Sequence, residues 1–172
     1  PTHLLNVPAS SAGITAIQQL TIEGISVNTS LIFSVECYEA VVNAYIEGLR
    51  EAQNNGLDIS TIVSVASIFV SRLDTVVDKQ LTDIGTERAL SLRGKTGITN
   101  CRLAYDIFVQ TYKQGGKFDE LAALGGHPQR LLWASTSVKN PAYPDTLYVV
   151  DLAGPPTVYT LPPRTLKAVA DH

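Results

Sequence analysis

Side chains suited to binding an anionic, hydroxylated small molecule recur at the ends of strand-like segments of this sequence. They comprise two amides, two hydroxyls and two cations: Asn6, Asn28, Ser30, Ser67, Arg72 and Lys139. Arg and Lys neutralise a phosphate, and Arg can bind it through two parallel hydrogen bonds. Amides and hydroxyls can select the oxygens of a sugar. The set therefore predicts a site for a compound such as a sugar phosphate.

Each of these residues also has a simpler interpretation when it is taken singly. Arg72 could pair with Asp74 on a solvated surface, and Lys139 could be an ordinary loop lysine. Ser and Asn at strand ends often cap the helix that follows. The residues alone leave both interpretations open.

Short β-branched runs alternate along the chain with amphipathic stretches, a pattern typical of β/α units. The predicted strands are 3–7, 25–33, 60–72, 129–136 and 156–162, and the predicted helices are 12–24, 34–56, 73–85, 86–112 (interrupted at Gly94 and Gly97), 145–154 and 163–172. Strands separated by helices pair in parallel, and ligands bind at their carboxyl ends. We therefore expect an α/β fold of five β/α units in a single domain, residues 1–172.

Chain length limits how such a sheet can close. A complete (β/α)₈ (TIM) barrel needs roughly 250 residues, whereas this chain has 172. The expectation is a partial (β/α)₈ barrel, with an open doubly wound sheet as the alternative. No G-x-G-x-x-G or P-loop follows any predicted strand, so the pattern does not indicate a nucleotide site.

The two-residue period of a strand assigns the side chains of the second strand to faces. Asn28 and Ser30 should share one face, and Thr29, Leu31 and Phe33 should share the other. The two polar residues would then point to the ligand side of the sheet.

Composition narrows the function classes. The 13 basic and 16 acidic residues are scattered and give a net charge of −3, so the basic footprint of a nucleic-acid binder is missing. No apolar run reaches the ~20 residues that span a bilayer. Cys37 and Cys101 form no C-x-x-C or zinc spacing, which favours two reduced thiols in a cytoplasmic protein. The chain begins at Pro1, and both a processed chain and a fragment of a longer one fit that start.

Long strings spread over the whole chain carry a family resemblance. They are "VPASSAGITAIQQLTIEGISVNTSLIFS" (7–34), "SVASIFVSRLDTVVDKQL" (64–81), "LRGKTGITNCRLAY" (92–105), "WASTSVKNPAYPDTLYV" (133–149) and "TVYTLPPRTL" (157–166). These strings closely resemble transaldolase, a family of class I aldolase-type (β/α)₈ barrels. In that alignment the chain resembles strands four to eight of the barrel.

The resemblance implies a reaction and its partners. Transaldolases use a lysine Schiff base to transfer a dihydroxyacetone unit between ketose and aldose phosphates in the pentose phosphate pathway, with no metal or organic cofactor. The implied partners are sugar phosphates: fructose 6-phosphate, sedoheptulose 7-phosphate, erythrose 4-phosphate and glyceraldehyde 3-phosphate.

The resemblance also assigns roles to residues. Two of them lie in "VNTSLIFS" and would hold substrate hydroxyls, three lie in "SIFVSR" and would bind phosphate or line the site, and one in "TSVKNP" would also meet the phosphate. In that order they are Asn28, Ser30, Ser67, Phe69, Arg72 and Lys139.

One position departs from the family pattern. The family strand usually reads I-K-V-P-A-T, whereas this chain reads "LNVPAS", which puts Asn6 at the place of the Schiff-base lysine. A Schiff base needs an amine lone pair, and the lone pair of an amide nitrogen is delocalised. Lys139 is a poor substitute, since a phosphate beside it would stabilise its charged form.

The family's catalytic carboxylates, on its first and third strands, would lie upstream of Pro1. We therefore expect little or no transaldolase activity from this chain alone. The alternative is a catalytically silent half-barrel that binds sugar phosphates, or a structural one that pairs through its open sheet edges with a second copy or a complementary chain.

Overall fold

A computed structural model describes residues 3–172 of the chain. The strands are β1 (Leu5–Pro8), β2 (Val27–Ile32), β3 (Ser64–Phe69), β4 (Arg130–Ala134) and β5 (Val158–Tyr159). The helices are α1 (Ser11–Ile22), α2 (Val35–Asn54), α3 (Ser71–Ile84), α4 (Glu87–Ser91), α5 (Thr96–Tyr112), α6 (Asp119–Ala123), α7 (Leu147–Leu152) and α8 (Pro163–Asp171), with a 3₁₀ turn at Ile59–Thr61.

The five strands form one sheet in the order β1-β2-β3-β4-β5, and every neighbouring pair is parallel. A doubly wound sheet reverses its strand order at a switch point, and this sheet has no reversal among residues 3–172. Sequential parallel strands alternating with helices are the arrangement of a partial (β/α)₈ barrel, so the predicted fold class is confirmed.

Helix boundaries follow local capping chemistry. Ser34 accepts a hydrogen bond from the backbone N–H of Cys37 at 3.2 Å and is the N-cap of α2. Ser10 does the same for Gly13 at the start of α1, at 3.1 Å. Proline occupies the first turn of α8 at Pro163, because its missing N–H has no partner to lose there.

The predicted helical region 86–112 is two helices. Between α4 and α5, Gly94 has a φ of +72°, a left-handed conformation that a helix cannot contain. The five-residue α6 was not predicted, because so short a helix shows no helical repeat in the sequence.

The helix-covered face of the sheet, here called the outer face, forms the apolar core. Its side chains include Val27, Ile32, Ala66, Ile68, Leu131 and Trp133, none more than 1% exposed. The long helix α2 packs against β2 and β3 through residues such as Tyr45 and Leu49. Full burial stabilises by about 1.5–3 kcal/mol for each large aliphatic side chain, so this face supplies most of the stability.

Strand β2 contains an irregularity that corrects the predicted face assignment. Pairing with β3 shifts between Thr29 and Ile32, and Leu31 has a φ of +60°. Such a bulge adds one residue to the alternation. Consequently Ile32, rather than Leu31, is buried in the core, and Phe33 moves to the opposite face from Thr29. The prediction that Thr29, Leu31 and Phe33 share a face was wrong for this reason.

No helix within residues 3–172 is long and apolar enough to cross a bilayer.

Candidate functional site

The face of the sheet that helices do not cover, here called the inner face, carries the predicted polar residues of β1 and β2. Asn6 in β1 stands directly opposite Asn28 in β2 in the parallel register. Paired residues of parallel strands project to the same side, so the two amides are neighbours. Asn6 is exposed and Asn28 is half-buried.

A hydrogen bond joins two predicted site residues on adjacent strands. The hydroxyl of Ser67 donates to Oδ1 of Asn28 at 2.7 Å, and Ser67 is buried. This bond fixes the orientation of the Asn28 amide and leaves its NH₂ group on the far side from Ser67. Neither residue caps a helix, because α2 is capped by Ser34 and α3 starts after Val70 without a side-chain cap. The helix-capping interpretation is therefore excluded for both.

An aromatic pair supports the first predicted cation. The ring centroids of Phe33 and Phe69 lie 5.5 Å apart, and the guanidinium carbon of Arg72 lies 5.1 Å from the Phe69 centroid. A cation over an aromatic face is attracted by the ring quadrupole. This contact holds the exposed Arg72 side chain at the first turn of α3 while its hydrogen-bond donors remain open to an anion.

Arg72 does not use Asp74 as its partner, contrary to the simpler interpretation. Asp74 is only 2% exposed, and its carboxylate accepts bonds from the Gly97 N–H at 2.7 Å and the Tyr148 hydroxyl at 2.8 Å. Burial raises the pKa of Asp74, although these two hydrogen bonds act in the lowering direction. The carboxylate is thus committed to the protein interior.

Ser30 lies in β2 directly opposite Pro8, the last residue of β1. Its backbone carbonyl accepts a hydrogen bond from the Ala9 N–H at 2.8 Å, and the residue is buried. This contact extends the pairing of β1 and β2 beyond Pro8 and holds the ends of the two strands together near the two amides.

Lys139 lies apart from the other predicted residues, in the segment after β4. It is exposed and lines a cavity of about 610 Å³ together with Ser137, Asn140, Asp145 and Arg164. Arg72 is not part of that lining. The structure therefore brings Asn6, Asn28 and Ser67 together, places Phe69 with Arg72, and puts Lys139 in a neighbouring cavity.

The segments that carry Arg72 and Lys139 are nevertheless joined to each other where they leave β3 and β4. The Ser71 N–H donates to the carbonyl of Ser135 at 3.0 Å, and the hydroxyls of the same two residues lie 2.8 Å apart. Arg72 follows the first of these serines directly, and Lys139 comes four residues after the second. Hydrogen bonds thus join the residues that follow β3 and β4, close in sequence to both Arg72 and Lys139.

Among residues 3–172, no group of three or more His, Cys, Asp or Glu side chains is arranged to hold a metal ion. The arrangement can instead hydrogen-bond sugar oxygens through amides and hydroxyls, and bind an anion through its cations.

Comparison with known proteins identifies the family of the chain. The sequence model of the family described as Transaldolase/Fructose-6-phosphate aldolase matches residues 2–172. The chain belongs to this family. It is 53% identical over 172 residues to a protein named transaldolase from Mycolicibacterium paratuberculosis, and equally similar to one from Thermobifida fusca. A third, from Mycobacterium leprae, is 51% identical.

These transaldolases are longer than the chain. Each match covers 100% of this chain and 46% of the relative. The chain therefore spans about half the length of the curated relatives it matches, as a five-stranded part of a (β/α)₈ barrel would.

Sequence reasoning missed one set of polar residues in this transaldolase-family chain. Asp78, one turn after Asp74, accepts hydrogen bonds from the Gly94 N–H at 2.8 Å and the Tyr143 hydroxyl at 2.6 Å. Two aspartates four residues apart on α3 were the available signal, but their partners are distant in sequence. Burial, followed by the bond to Asp78, raises the pKa of Tyr143 to about 12.

Proposed function

We propose that this chain is the substrate-binding part of a transaldolase barrel and that, by itself, it binds sugar phosphates without forming a Schiff base. The ligands would be the family's ketose and aldose phosphates, such as fructose 6-phosphate, in the cytoplasmic pentose phosphate pathway. The observation that carries the proposal is the Asn28–Ser67 hydrogen bond beside the Arg72–Phe69 contact.

Each residue has a role that follows from its contacts. Arg72 binds the phosphate, because its guanidinium rests on Phe69 with its donors free for a bidentate contact. Asn28, oriented by Ser67, donates its NH₂ group to a sugar oxygen, and Ser30 supplies a hydroxyl nearby. Lys139 meets the phosphate from the neighbouring cavity.

Asn6 limits the chemistry to binding. The family reaction needs a lysine amine that attacks the ketose carbonyl and then serves as an electron sink in the iminium form. The amide at residue 6 can hydrogen-bond a ketose oxygen but cannot form that bond. The chain alone accordingly has little or no transaldolase activity.

Calorimetry with fructose 6-phosphate tests the binding. We expect weak, salt-sensitive binding that falls about tenfold or more in Arg72→Ala, because a charge-assisted bidentate contact is worth about 1.5–3 kcal/mol. Arg88→Ala is the matched control, since Arg88 is also exposed and its loss changes the net charge equally. An absence of heat at millimolar ligand would overturn the proposal.

Borohydride reduction in the presence of fructose 6-phosphate tests the missing Schiff base. Mass spectrometry should find no reduced sugar adduct on the unaltered chain, and an adduct at residue 6 in Asn6→Lys. An adduct mapped to Lys139 of the unaltered chain would contradict the assignment of that lysine to the phosphate.

A structural half-barrel is the second candidate, and one observation favours it. Strand β1 is an open edge of the sheet, and its Leu5 is 50% exposed. Unpaired strand edges recruit further strands, from a second copy or a complementary chain. Light scattering at micromolar concentration would give a dimer or larger mass under this candidate, and a monomer that binds fructose 6-phosphate would count against it.

A further inference from the structure

Helix α3 holds the segment after β4 through two parallel contacts. Asp74 and Asp78 lie one turn apart on this helix, and each carboxylate has two partners. One partner is a backbone N–H at the α4–α5 junction, and the other is a tyrosine hydroxyl from the segment after β4. Asp74 bonds Tyr148, and Asp78 bonds Tyr143.

Close packing on Gly94 positions the tyrosine of the second contact, between Asp78 and Tyr143. Gly94 donates to Asp78, and a Cβ atom added at Gly94 would lie 2.9 Å from Cζ of Tyr143. The tyrosine ring therefore rests directly on the backbone of a residue whose φ of +72° already favours glycine. With the ring in this place, its hydroxyl faces the Asp78 carboxylate.

The two contacts differ in burial. Tyr148 and Asp74 are both 2% exposed and belong to the interior. Tyr143 is half-buried and lies at the rim, where it lines the 610 Å³ cavity together with Lys139. The first contact is thus part of the folded core, whereas the second lies at the proposed binding site.

The segment between Lys139 and Tyr143 is a short turn. The Tyr143 N–H donates to the Asn140 carbonyl at 3.1 Å, and the Ala142 N–H donates to the Asn140 side chain at 3.0 Å. A constraint on the tyrosine is therefore transmitted over four residues to Lys139. The helix that supplies the constraint is the one that carries Arg72 at its first turn.

We propose that Asp78 and Tyr143 are positioning residues, which fix the turn that carries Lys139 against helix α3 and so place the lysine for its contact with the phosphate. Both act through Lys139. The inference rests on the proposed function, because it assigns Lys139 to the phosphate. It also explains how Lys139, which lies outside the helices, can be held in a fixed place relative to Arg72. The turn that carries Lys139 is fixed to α3, and α3 is the helix that carries Arg72.

Fructose 6-phosphate affinity of Tyr143→Phe, measured by calorimetry, is the first test. The variant keeps the ring on Gly94 and loses only the hydroxyl. We expect about a three- to tenfold weaker affinity, the range that one hydrogen bond supplies. Tyr105→Phe is the matched control, because its hydroxyl donates to the Pro155 carbonyl at the same 2.6 Å away from Lys139. Its affinity should be unchanged.

A double variant separates positioning from general destabilisation. Once Lys139 is removed, its position no longer matters, so Lys139→Ala combined with Tyr143→Phe should bind no more weakly than Lys139→Ala alone. Hydrogen exchange of residues 137–145 without ligand should be faster in Tyr143→Phe and unchanged in Tyr105→Phe.

Each result has a defined consequence. If the unaltered chain binds but Tyr143→Phe binds equally well, or if the two losses add fully, the positioning role is overturned and the binding proposal survives. If the unaltered chain does not bind, the proposed function fails first and the role of Tyr143 in binding fails with it. Unchanged exchange in residues 137–145 would overturn the ordering of the segment whichever way binding turns out.

Discussion

The two faces of the sheet use their residues in opposite ways. On the outer face, Ile68 and Trp133 are almost completely buried beneath helices. On the inner face, their direct sequence neighbours Phe69 and Leu132 are half-buried, and Asn6 is exposed. The outer face stabilises the fold, whereas the inner face keeps the amides, hydroxyls and aromatic rings that can meet a ligand. Substitutions should therefore separate into effects on stability and effects on binding.

Trp133→Ala should have the largest effect on stability. The side chain is 1% exposed, and its indole N–H donates to the Leu152 carbonyl at 3.2 Å. We expect a loss of about 3–5 kcal/mol in the free energy of unfolding, measured by urea denaturation, because a large cavity and an unpaired carbonyl remain. Phe69→Ala on the inner face should cost less than half as much. Equal losses would remove the distinction between the faces.

Asp74→Ala tests whether a polar contact on the helix-covered side matters as much as an apolar one. It leaves the Gly97 N–H and the Tyr148 hydroxyl buried without their acceptor. Each such group costs about 1–3 kcal/mol, so thermal and urea unfolding should show a loss of about 3 kcal/mol. Asp83→Ala is the control, since Asp83 is paired with Lys79 on the exposed surface of the same helix and should change stability by less than about 1 kcal/mol.

Raising the pH should have the smallest effect on the free energy of unfolding, and it tests the half-buried contact between Tyr143 and Asp78. The pKa of Tyr143 is raised to about 12 in the folded chain, whereas an unfolded tyrosine ionises near pH ~10. Because the folded pKa is the higher one, the stabilising contribution is fully present below pH ~10 and is lost as the pH rises towards about 12. The difference in unfolding free energy between the unaltered chain and Tyr143→Phe should shrink over that window. A constant difference would show that the hydroxyl is not held as described.

Local pattern was enough to predict most of the fold. The β-branched runs predicted all five strands, and the alternation with helices predicted their parallel pairing. The motif strings placed Asn28 and Ser67 in one site, and the two side chains are in hydrogen-bond contact. The fold predictions succeeded because they depend on residues only a few positions apart in sequence.

What could not be predicted depends on distant partners and on single backbone angles. Asp74 looked like a surface partner of Arg72, but its actual partners are 23 and 74 residues away in sequence. No periodicity reports contacts over such separations. The position of Lys139 in a separate cavity likewise depends on how the segment after β4 packs on α3, which the string "TSVKNP" does not encode.

Leu31 shows how much one backbone angle can determine. Its left-handed conformation interrupts the regular two-residue alternation of side chains in β2, so that the residues after it project to the opposite faces from those the alternation would give. Before Leu31, Val27 and Thr29 point into the core, and after it Phe33 lies on the inner face against Phe69. Without this left-handed residue, the chain would keep the same composition and the same strands, but Phe33 would point to the outer face. The Phe69 ring under Arg72 would then lose its contact with Phe33. The side chains that the end of this strand presents on the inner face are thus determined by the backbone of Leu31, whose own side chain is apolar.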